Sequence, residues 1–164
     1  MKPVNIRNHV DNYGDPYRED SNDSVRTCSH CGMVYWGHRW YTPEQAKKAG
    51  IKTDDKANGG AICTACRKTR DQAPGGILTI TGEFAKQHDE EIMNLIRREN
   101  DRAASVNPME RIINIEQADG RMEITTTNEK LAQRIGRALH KAYAGEVTYR
   151  WSEDTKLARV FWHR

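Results

Sequence analysis

The sequence lacks any long apolar run. Its 164 residues are 37% hydrophobic and 30% charged, and the mean hydropathy is −0.89. No stretch approaches the roughly 18 consecutive apolar residues that cross a bilayer. The first 20 residues also lack the apolar segment of a secretory signal. We therefore expect a protein without a membrane partner, located in the cytoplasm.

Aromatic residues and known catalytic motifs are scarce as well. Phe, Trp and Tyr make up 7% of the chain, and only two are phenylalanines, so the sequence predicts a modest core. The chain has no Gly-rich phosphate loop, no G-x-S-x-G turn, no H-E-x-x-H helix and no zinc-deaminase pattern. We therefore expect a protein that is not an enzyme and has no small-molecule substrate.

No cysteine lies outside two C-x-x-C pairs. Cys28 and Cys31 form the first pair, and Cys63 and Cys66 form the second. Cysteines two residues apart can reach one ion from a tight turn, and four thiolates complete the tetrahedral shell of a closed structural site. The spacing therefore predicts one Zn²⁺ held by all four cysteines. An iron site of the rubredoxin type uses the same ligands and stays open as an alternative, whereas two redox disulfides fit the pattern less well.

The surroundings of the two pairs differ. Gly32 directly follows the first pair, as in a zinc knuckle. The residues after the second pair favour a helical turn, so we expect the metal to join a knuckle either to the start of a short helix or to a second knuckle. The 31 residues between the pairs are expected to form an extended loop. His30 and His38 lie near the first pair, but four cysteines already fill the shell, which favours surface or contact roles for both histidines.

Positive charge is concentrated around the cysteines. Residues 26–70 hold nine basic and three acidic residues, a local net charge of +6 in a chain of net charge +3. Such a patch favours polyanions, and aromatic side chains among basic ones can stack on unpaired bases. The predicted nucleic-acid contacts are Arg39, Arg67, Lys68, Arg70, Tyr35, Trp36 and Trp40. In the alternative interpretation, these aromatic residues only cover a module too small to have a core.

Composition divides the chain into three parts. Residues 1–25 are polar and predict a flexible arm, residues 26–72 predict a Cys₄ zinc ribbon or treble-clef-like module, and residues 77–164 predict a small α+β domain. The motif Pro74-Gly75-Gly76 predicts a hinge between the last two parts. We therefore expect the module to unfold on loss of its metal while the α+β domain persists.

Helix and hairpin signals alternate in the last part. A short β-prone run at residues 77–80 precedes a helical apolar pattern from about residue 82 to 104. Two further β-prone runs flank Asp119-Gly120, a strong hairpin signal, and Asn128 is placed to cap a second helix. Another hairpin follows that helix. The predicted order is helix–hairpin–helix–hairpin (αββαββ), and its symmetry raises the hypothesis of an internal duplication.

Six short motifs lie along residues 26–164. They are Cys28-x-x-Cys31-Gly32, Cys63-x-x-Cys66-Arg67-Lys68-x-Arg70-Asp71, Pro74-x-Gly76-Ile77-x-x-x-Gly82-x-Phe84, Asn94-Leu95-Ile96-Arg97-x-Glu99, Pro108-x-Glu110-Arg111-Ile112, and Thr125-Thr126-Thr127 through Leu139-His140. Together they resemble a group of small bacterial proteins of poorly defined function. That group is similar in turn to the zinc-binding amino-terminal region of the Nmd-type adaptor that exports large ribosomal subunits. The resemblance implies zinc binding by the four cysteines and contact with RNA or ribosomes, but not export, because the adaptor has more C-x-x-C pairs and further domains.

Two functions are compatible with these patterns. The first is a cytoplasmic zinc-binding protein that binds RNA or ribosomes through its basic, aromatic module, with an affinity that falls steeply as salt rises. The alternative is a zinc-stabilised adaptor that binds a protein partner without nucleic acid. In the adaptor, the metal module is a rigid platform and the hairpins offer sheet edges to a partner strand.

Overall fold

The structure is a computed structural model that describes residues 16–19, 24–53 and 60–164. These residues form two β-sheets and five helices, which confirms the predicted mixture of helix and sheet. Most of the predicted arm, residues 1–15 and 20–23, lies outside the described residues. Among the helices described, none has both the length and the apolar character needed to cross a membrane.

The smaller sheet carries the first cysteine pair. Its antiparallel strands are β1 (Arg26–Thr27), β2 (Val34–Trp36) and β3 (Arg39–Tyr41), in that order. Gly37 and His38 join β2 to β3 with φ angles of 55° and 63°, the left-handed backbone that a tight two-residue hairpin requires. Two helices follow, α1 (Pro43–Lys48) and α2 (Thr64–Arg70).

The segment between the cysteine pairs is not the extended loop that was predicted. The β2–β3 hairpin buries Tyr35 and Trp40 on one side. A capping box between Thr42 and Gln45 then starts α1, with Pro43 in the first helical turn. These local signals were present in the sequence, and they outweigh the polar, glycine-containing composition that indicated a loop.

The larger sheet and its helices occupy the remaining residues. In chain order the elements are β4 (Gly76–Thr81), α3 (Glu83–Gln87), α4 (Asp89–Val106), β5 (Ile112–Ala118), β6 (Arg121–Thr126), α5 (Glu129–Tyr143), β7 (Glu146–Trp151) and β8 (Ala158–His163). The strands lie in the order β5-β6-β4-β8-β7. β4 pairs with β8 in parallel, and the other neighbouring strands are antiparallel.

The main core lies between one face of this sheet and helices α4 and α5. Leu78 and Ile80 of β4 are buried there, because alternate residues of a strand share a face. Trp162 of β8 is fully buried in the same core, and its indole N–H donates to the carbonyl of Ala144 over 2.9 Å. The largest side chain of the core thus has its polar atom satisfied.

Local turn and cap signals gave correct predictions in this domain. Asp119 and Gly120 form the β5–β6 turn with φ angles of 52° and 73°. The side chain of Asn128 accepts a hydrogen bond from the backbone N–H of Leu131 and so caps α5. The single helix expected near residues 82–104 is instead two helices, because His88, with φ −116° and ψ 31°, interrupts the helical backbone between α3 and α4.

The αββαββ order omits the strand that organises the larger sheet. β4 lies at the centre and pairs with β6 of one hairpin and β8 of the other. Its pairing with β6 is antiparallel and its pairing with β8 is parallel, so the two hairpins do not border it in the same way. No local feature of residues 77–80 predicts that this strand pairs with β6 and β8.

Gly75 and Gly76, which were predicted as part of a hinge, are hydrogen-bonded to neighbouring strands of the larger sheet. The backbone N–H of Gly75 donates to the carbonyl of Thr126 over 2.9 Å, and its carbonyl accepts from Ala158 over 3.1 Å. A Cβ atom on Gly76 would lie 2.6 Å from Oγ1 of Thr126. The glycines are therefore needed for close packing, and the connection to the larger sheet is hydrogen-bonded on both sides.

Candidate metal centre

The two cysteine pairs occupy different local structures. Cys28 directly follows β1, and its backbone N–H donates to the carbonyl of Met33 over 2.8 Å, which closes a tight turn containing Cys31. Cys63 is the N-cap of α2, where its sulfur accepts from the backbone N–H of Cys66 over 3.4 Å. Of the two arrangements considered for the second pair, the structure has the helix start.

The four sulfur atoms converge on one point. They all lie within 4.8 Å of one another, and the sulfurs of Cys31 and Cys63 are 3.6 Å apart. Zn–S bonds of about 2.3 Å place neighbouring sulfurs of a tetrahedron about 3.8 Å apart. All four cysteines are free, and His30 and His38 are not part of the group. The cluster can therefore hold a metal ion with four thiolates alone.

Burial and backbone amides set the acidity of the thiols. Burial opposes ionisation of Cys28, but N–H groups of Cys63, His30 and Cys31 point at its sulfur and lower its pKa to about 7. Burial, together with the negative charges of Cys31 and Cys28, raises the pKa of Cys63. Burial likewise raises the pKa of the Cys66 thiol. A bound cation supplies the positive charge that holds such buried thiols as thiolates.

A residue that the sequence analysis did not assign to the site contacts two of the sulfurs. Arg111 lies between α4 and β5, and its Nη2 and Nη1 donate to Cys31 over 3.4 Å and to Cys66 over 3.7 Å. Its Nε donates to the carbonyl of Pro108 over 2.6 Å, which fixes the plane of the guanidinium. Burial opposes its charge, but the hydrogen bond to Cys31 and the charges of Cys31, Cys63 and Cys66 together outweigh burial and raise the pKa of Arg111. Arg111 is therefore charged, and its position depends on contacts that no local pattern reports.

Further contacts join the cysteine module to the larger sheet. Met109 packs against the cluster formed by the cysteines, Tyr35 and Trp40. Nζ of Lys68 donates to the carbonyl of Thr127 over 2.9 Å, and Oγ1 of Thr127 accepts from the backbone N–H of Arg111 over 2.9 Å. The cysteine cluster thus lies against the second half of the chain.

The predicted base-stacking residues fall into two groups. Tyr35 and Trp40 are buried, with their ring centroids 5.2 Å apart, and they pack against Cys28 and Cys63. They are not placed to stack on a base, because their faces are used in the small core around the cysteines. Trp36 instead has 46% of its surface exposed.

The basic residues predicted to contact phosphates also divide into exposed side chains and side chains with internal contacts. Nη2 of Arg67 lies 3.1 Å from a carboxylate oxygen of Glu19, and Lys68 is engaged with Thr127. Arg70 is exposed and paired with the adjacent Asp71 over 2.7 Å. Arg39 is also exposed, and its Nη2 donates to the carbonyl of Val106 over 3.3 Å. Arg39 and Arg70 are therefore the accessible members of the predicted set, whereas Arg67 and Lys68 make internal contacts.

Comparisons with known proteins do not identify a family for this chain. The chain matches no protein-family model, no curated protein and no solved structure. The class of site is therefore defined by its geometry, as a four-cysteine cluster that can hold a metal ion and that is contacted by one guanidinium.

Proposed function

We propose that the cysteine cluster binds Zn²⁺ as a closed structural site in a treble-clef-like module. The four converging sulfurs carry this proposal, because an all-thiolate tetrahedron is a preferred shell of structural zinc and leaves no position for a reacting water. The knuckle after β1 and the helix start at Cys63 supply the two halves of the shell. We further propose that the protein is cytoplasmic, since two pairs of free thiols suit a reducing compartment. We also propose that it binds a partner rather than catalyses a reaction, because a closed four-thiolate site leaves no position for a reacting water.

Metal analysis of the purified chain tests the first part. We expect one zinc per chain by mass spectrometry of the metal content after purification without chelators. A stoichiometric iron content, visible as thiolate-to-iron absorption, would replace zinc with the rubredoxin-type alternative. A chain without metal that also fails to bind added Zn²⁺ would overturn the proposal.

We propose that the module binds RNA or ribosomes through a surface named here the Arg39 strip, which comprises Trp36, Arg39, Val106, Arg102 and Arg98. Trp36 and Arg39 pair directly across β2 and β3, so they share one exposed face. Arg39 reaches the carbonyl of Val106, and the three α4 members are spaced four residues apart on one side of the helix. The contact between Arg39 and Val106 supports the proposal, because it joins the basic module to a second set of exposed arginines.

This composition suits single-stranded RNA. An exposed indole can stack on an unpaired base of any sequence, and guanidinium groups on both sides can contact the backbone. We expect the pure protein to bind short single-stranded RNA or to co-sediment with ribosomal subunits at low salt, and to be released as salt rises. Absence of both interactions at low salt would overturn this function.

The adaptor function has its own structural observation. β5 and β7 form the two edges of the larger sheet, and an edge strand can pair with an added strand of a partner. A protein that co-purifies at high salt and without nucleic acid would favour this second function over RNA binding.

A further inference from the structure

Four side chains converge on the carboxylate of Glu19. Its Oε1 accepts from the indole N–H of Trp40 over 3.0 Å, from Nη2 of Arg67 over 3.1 Å, and from the hydroxyl of Thr64. Its Oε2 lies 3.8 Å from Nη2 of Arg26. We name these four donors, Arg26, Trp40, Thr64 and Arg67, the Glu19 pocket. They come from β1, β3 and α2, so the folded module itself assembles the pocket.

The pocket has more donors and more positive charge than one carboxylate uses. Among the described residues, two guanidinium groups face the single carboxylate of Glu19, a surplus of one positive charge. Nε and Nη2 of Arg26 and Nε of Arg67 are buried and donate no hydrogen bond to any of the described residues. Buried N–H groups without acceptors cost free energy, and a guanidinium recognises phosphate through paired N–H groups. A phosphodiester of RNA carries the same single charge as Glu19, but its tetrahedral oxygens can accept from N–H groups that the planar carboxylate leaves unused.

The segment that carries Glu19 also covers the basic part of α2. The carbonyl of Tyr17 accepts from Nη2 of Arg67 over 3.2 Å, and the Tyr17 ring lies 5.5 Å from Nζ of Lys68. The Tyr17 hydroxyl donates to Asp71 over 3.1 Å. Residues 16–19 therefore occupy the place where a phosphate would have to approach α2, and Glu19 provides the carboxylate that the pocket donors contact.

We propose that the Glu19 pocket is a phosphate-binding site for the RNA backbone, and that Glu19 fills it as an internal competitor. This inference rests on the proposed RNA-binding function. When RNA displaces residues 16–19, one phosphodiester takes the place of the carboxylate and accepts from Arg26, Arg67, Thr64 and the Trp40 indole. The competitor lowers the apparent affinity of the resting protein, because RNA reaches the Glu19 pocket only when this segment is released.

The first test uses inorganic phosphate as the probe on the zinc-loaded full chain. Glu19→Gln removes the charge while its amide oxygen still accepts from Trp40 and Thr64, which preserves the fold. Glu90→Gln is the matched control, because Glu90 is an exposed α4 residue with the same charge change. We expect phosphate to shift the Trp40 indole N–H resonance in Glu19→Gln, and to shift it far less in the wild type and in Glu90→Gln. Adding Arg67→Gln to Glu19→Gln should abolish the shift.

The second test measures the affinity for a labelled single-stranded RNA by fluorescence anisotropy. Removal of the competitor should tighten binding by about fivefold in Glu19→Gln relative to Glu90→Gln. Arg67→Gln should weaken RNA binding and make the salt dependence shallower, by roughly 0.7 in the logarithmic slope for one lost phosphate contact. These two effects together support the proposal.

The two tests distinguish failure of the proposed Glu19 pocket from failure of the proposed RNA-binding function. If RNA binds but phosphate leaves the Trp40 resonance unmoved in a folded Glu19→Gln variant, the pocket is overturned while the proposed function stands. If phosphate shifts that resonance but none of the variants binds RNA, the RNA occupant and the proposed function are both overturned. Equal RNA affinities of Glu19→Gln and Glu90→Gln would overturn the role of Glu19 as competitor.

Discussion

Nη2 of Arg111 donates to the sulfur of Cys31 over 3.4 Å, although 80 residues separate the two in the chain. The same guanidinium reaches Cys66 through Nη1, so it bridges the knuckle and the helix that make up the metal centre. If the cluster holds one divalent ion as proposed, its four thiolates leave two surplus negative charges, and Arg111 offsets one of them. The cysteine cluster and the connection from α4 to β5 therefore form one electrostatic unit.

Replacement of Arg111 should weaken metal binding without removing a ligand. Arg111→Met keeps much of the side-chain volume but loses the charge and both N–H···S contacts. Partners of metal ligands typically contribute 10-fold to 100-fold in affinity, and we expect a loss of about 30-fold. Competition with a chromophoric zinc chelator, run on wild type and variant side by side, measures this change.

Two companion variants define what Arg111 contributes. Arg102→Met removes an exposed arginine that is paired with Glu99, and it should leave zinc affinity unchanged. Arg111→Lys keeps the charge but cannot span two sulfurs with a planar fork, so its affinity should fall between those of wild type and Arg111→Met. A zinc affinity of Arg111→Met equal to that of Arg102→Met would show that the guanidinium does not support the centre.

Loss of the metal should unfold the cysteine module and also destabilise the larger sheet. Without the metal, Arg111 loses its thiolate partners, and a half-buried charge is left without compensation. A charged hydrogen bond contributes roughly 1–3 kcal/mol, so the melting temperature of the α+β domain should fall by about 5 °C. Chelator titration followed by hydrogen exchange at the β4 and β8 amides, with a parallel thermal melt, measures the effect.

Cys63→Ser tests the same coupling without a chelator. Cys63 is fully buried, and its replacement leaves three of the four thiolates. Cys63→Ser should therefore unfold the cysteine module and lower the melting temperature of the larger sheet, as the chelator does. A sheet with an unchanged melting temperature would mean that the module is independent, as Pro74-Gly75-Gly76 first indicated. Complete, simultaneous melting of both parts would mean that the coupling is far stronger than one guanidinium can explain.

Replacement of Lys68 should lower the stability of the protein through the loss of a hydrogen bond rather than through the loss of a charge. Its Nζ donates to the carbonyl of Thr127, a residue that is 2% exposed, and so it ties α2 to the larger sheet. Lys68→Met should cost roughly 1–3 kcal/mol in the free energy of unfolding, because a carbonyl in that buried position loses its donor. Arg70→Met changes the same charge on the exposed side of α2, and its free energy of unfolding should stay close to that of wild type. Urea denaturation of both variants decides whether Lys68 is a structural contact.

Features encoded within a few residues could be predicted from the sequence. The two-residue spacing of each cysteine pair, the Asp119-Gly120 turn and the Asn128 cap each depend on neighbouring residues, and the structure contains all of them. The cysteine cluster could be predicted for an added reason. Four identical ligands have one economical arrangement around an ion, so local spacing also predicted a long-range contact.

The other half of the site depends on tertiary contacts without a local signature. Arg111 was one arginine among many, and only the connection between α4 and β5 places it beside Cys31. Arg67 was expected to meet a phosphate, but Glu19, 48 residues earlier, takes up that charge. Tyr35 and Trp40 were candidates for stacking on bases, yet the small sheet needs them as its core. Composition indicated that basic and aromatic residues gather around the cysteines. The tertiary fold decides which of these side chains stay exposed.

Trp36 provides the most selective test of the proposed RNA surface. It is 46% exposed and faces the same side of the hairpin as Arg39, whereas Trp151, 38% exposed, lies on the edge strand β7. Stacking of one base contributes about 1–3 kcal/mol, so Trp36→Ala should weaken single-stranded RNA binding by roughly 5-fold to 100-fold. Trp151→Ala removes the same kind of side chain outside the Arg39 strip and should leave the affinity unchanged. Anisotropy titrations at one low salt concentration compare the two variants directly. The opposite ranking, with Trp151→Ala as the weaker binder, would move the RNA-binding surface from the cysteine module to the larger sheet.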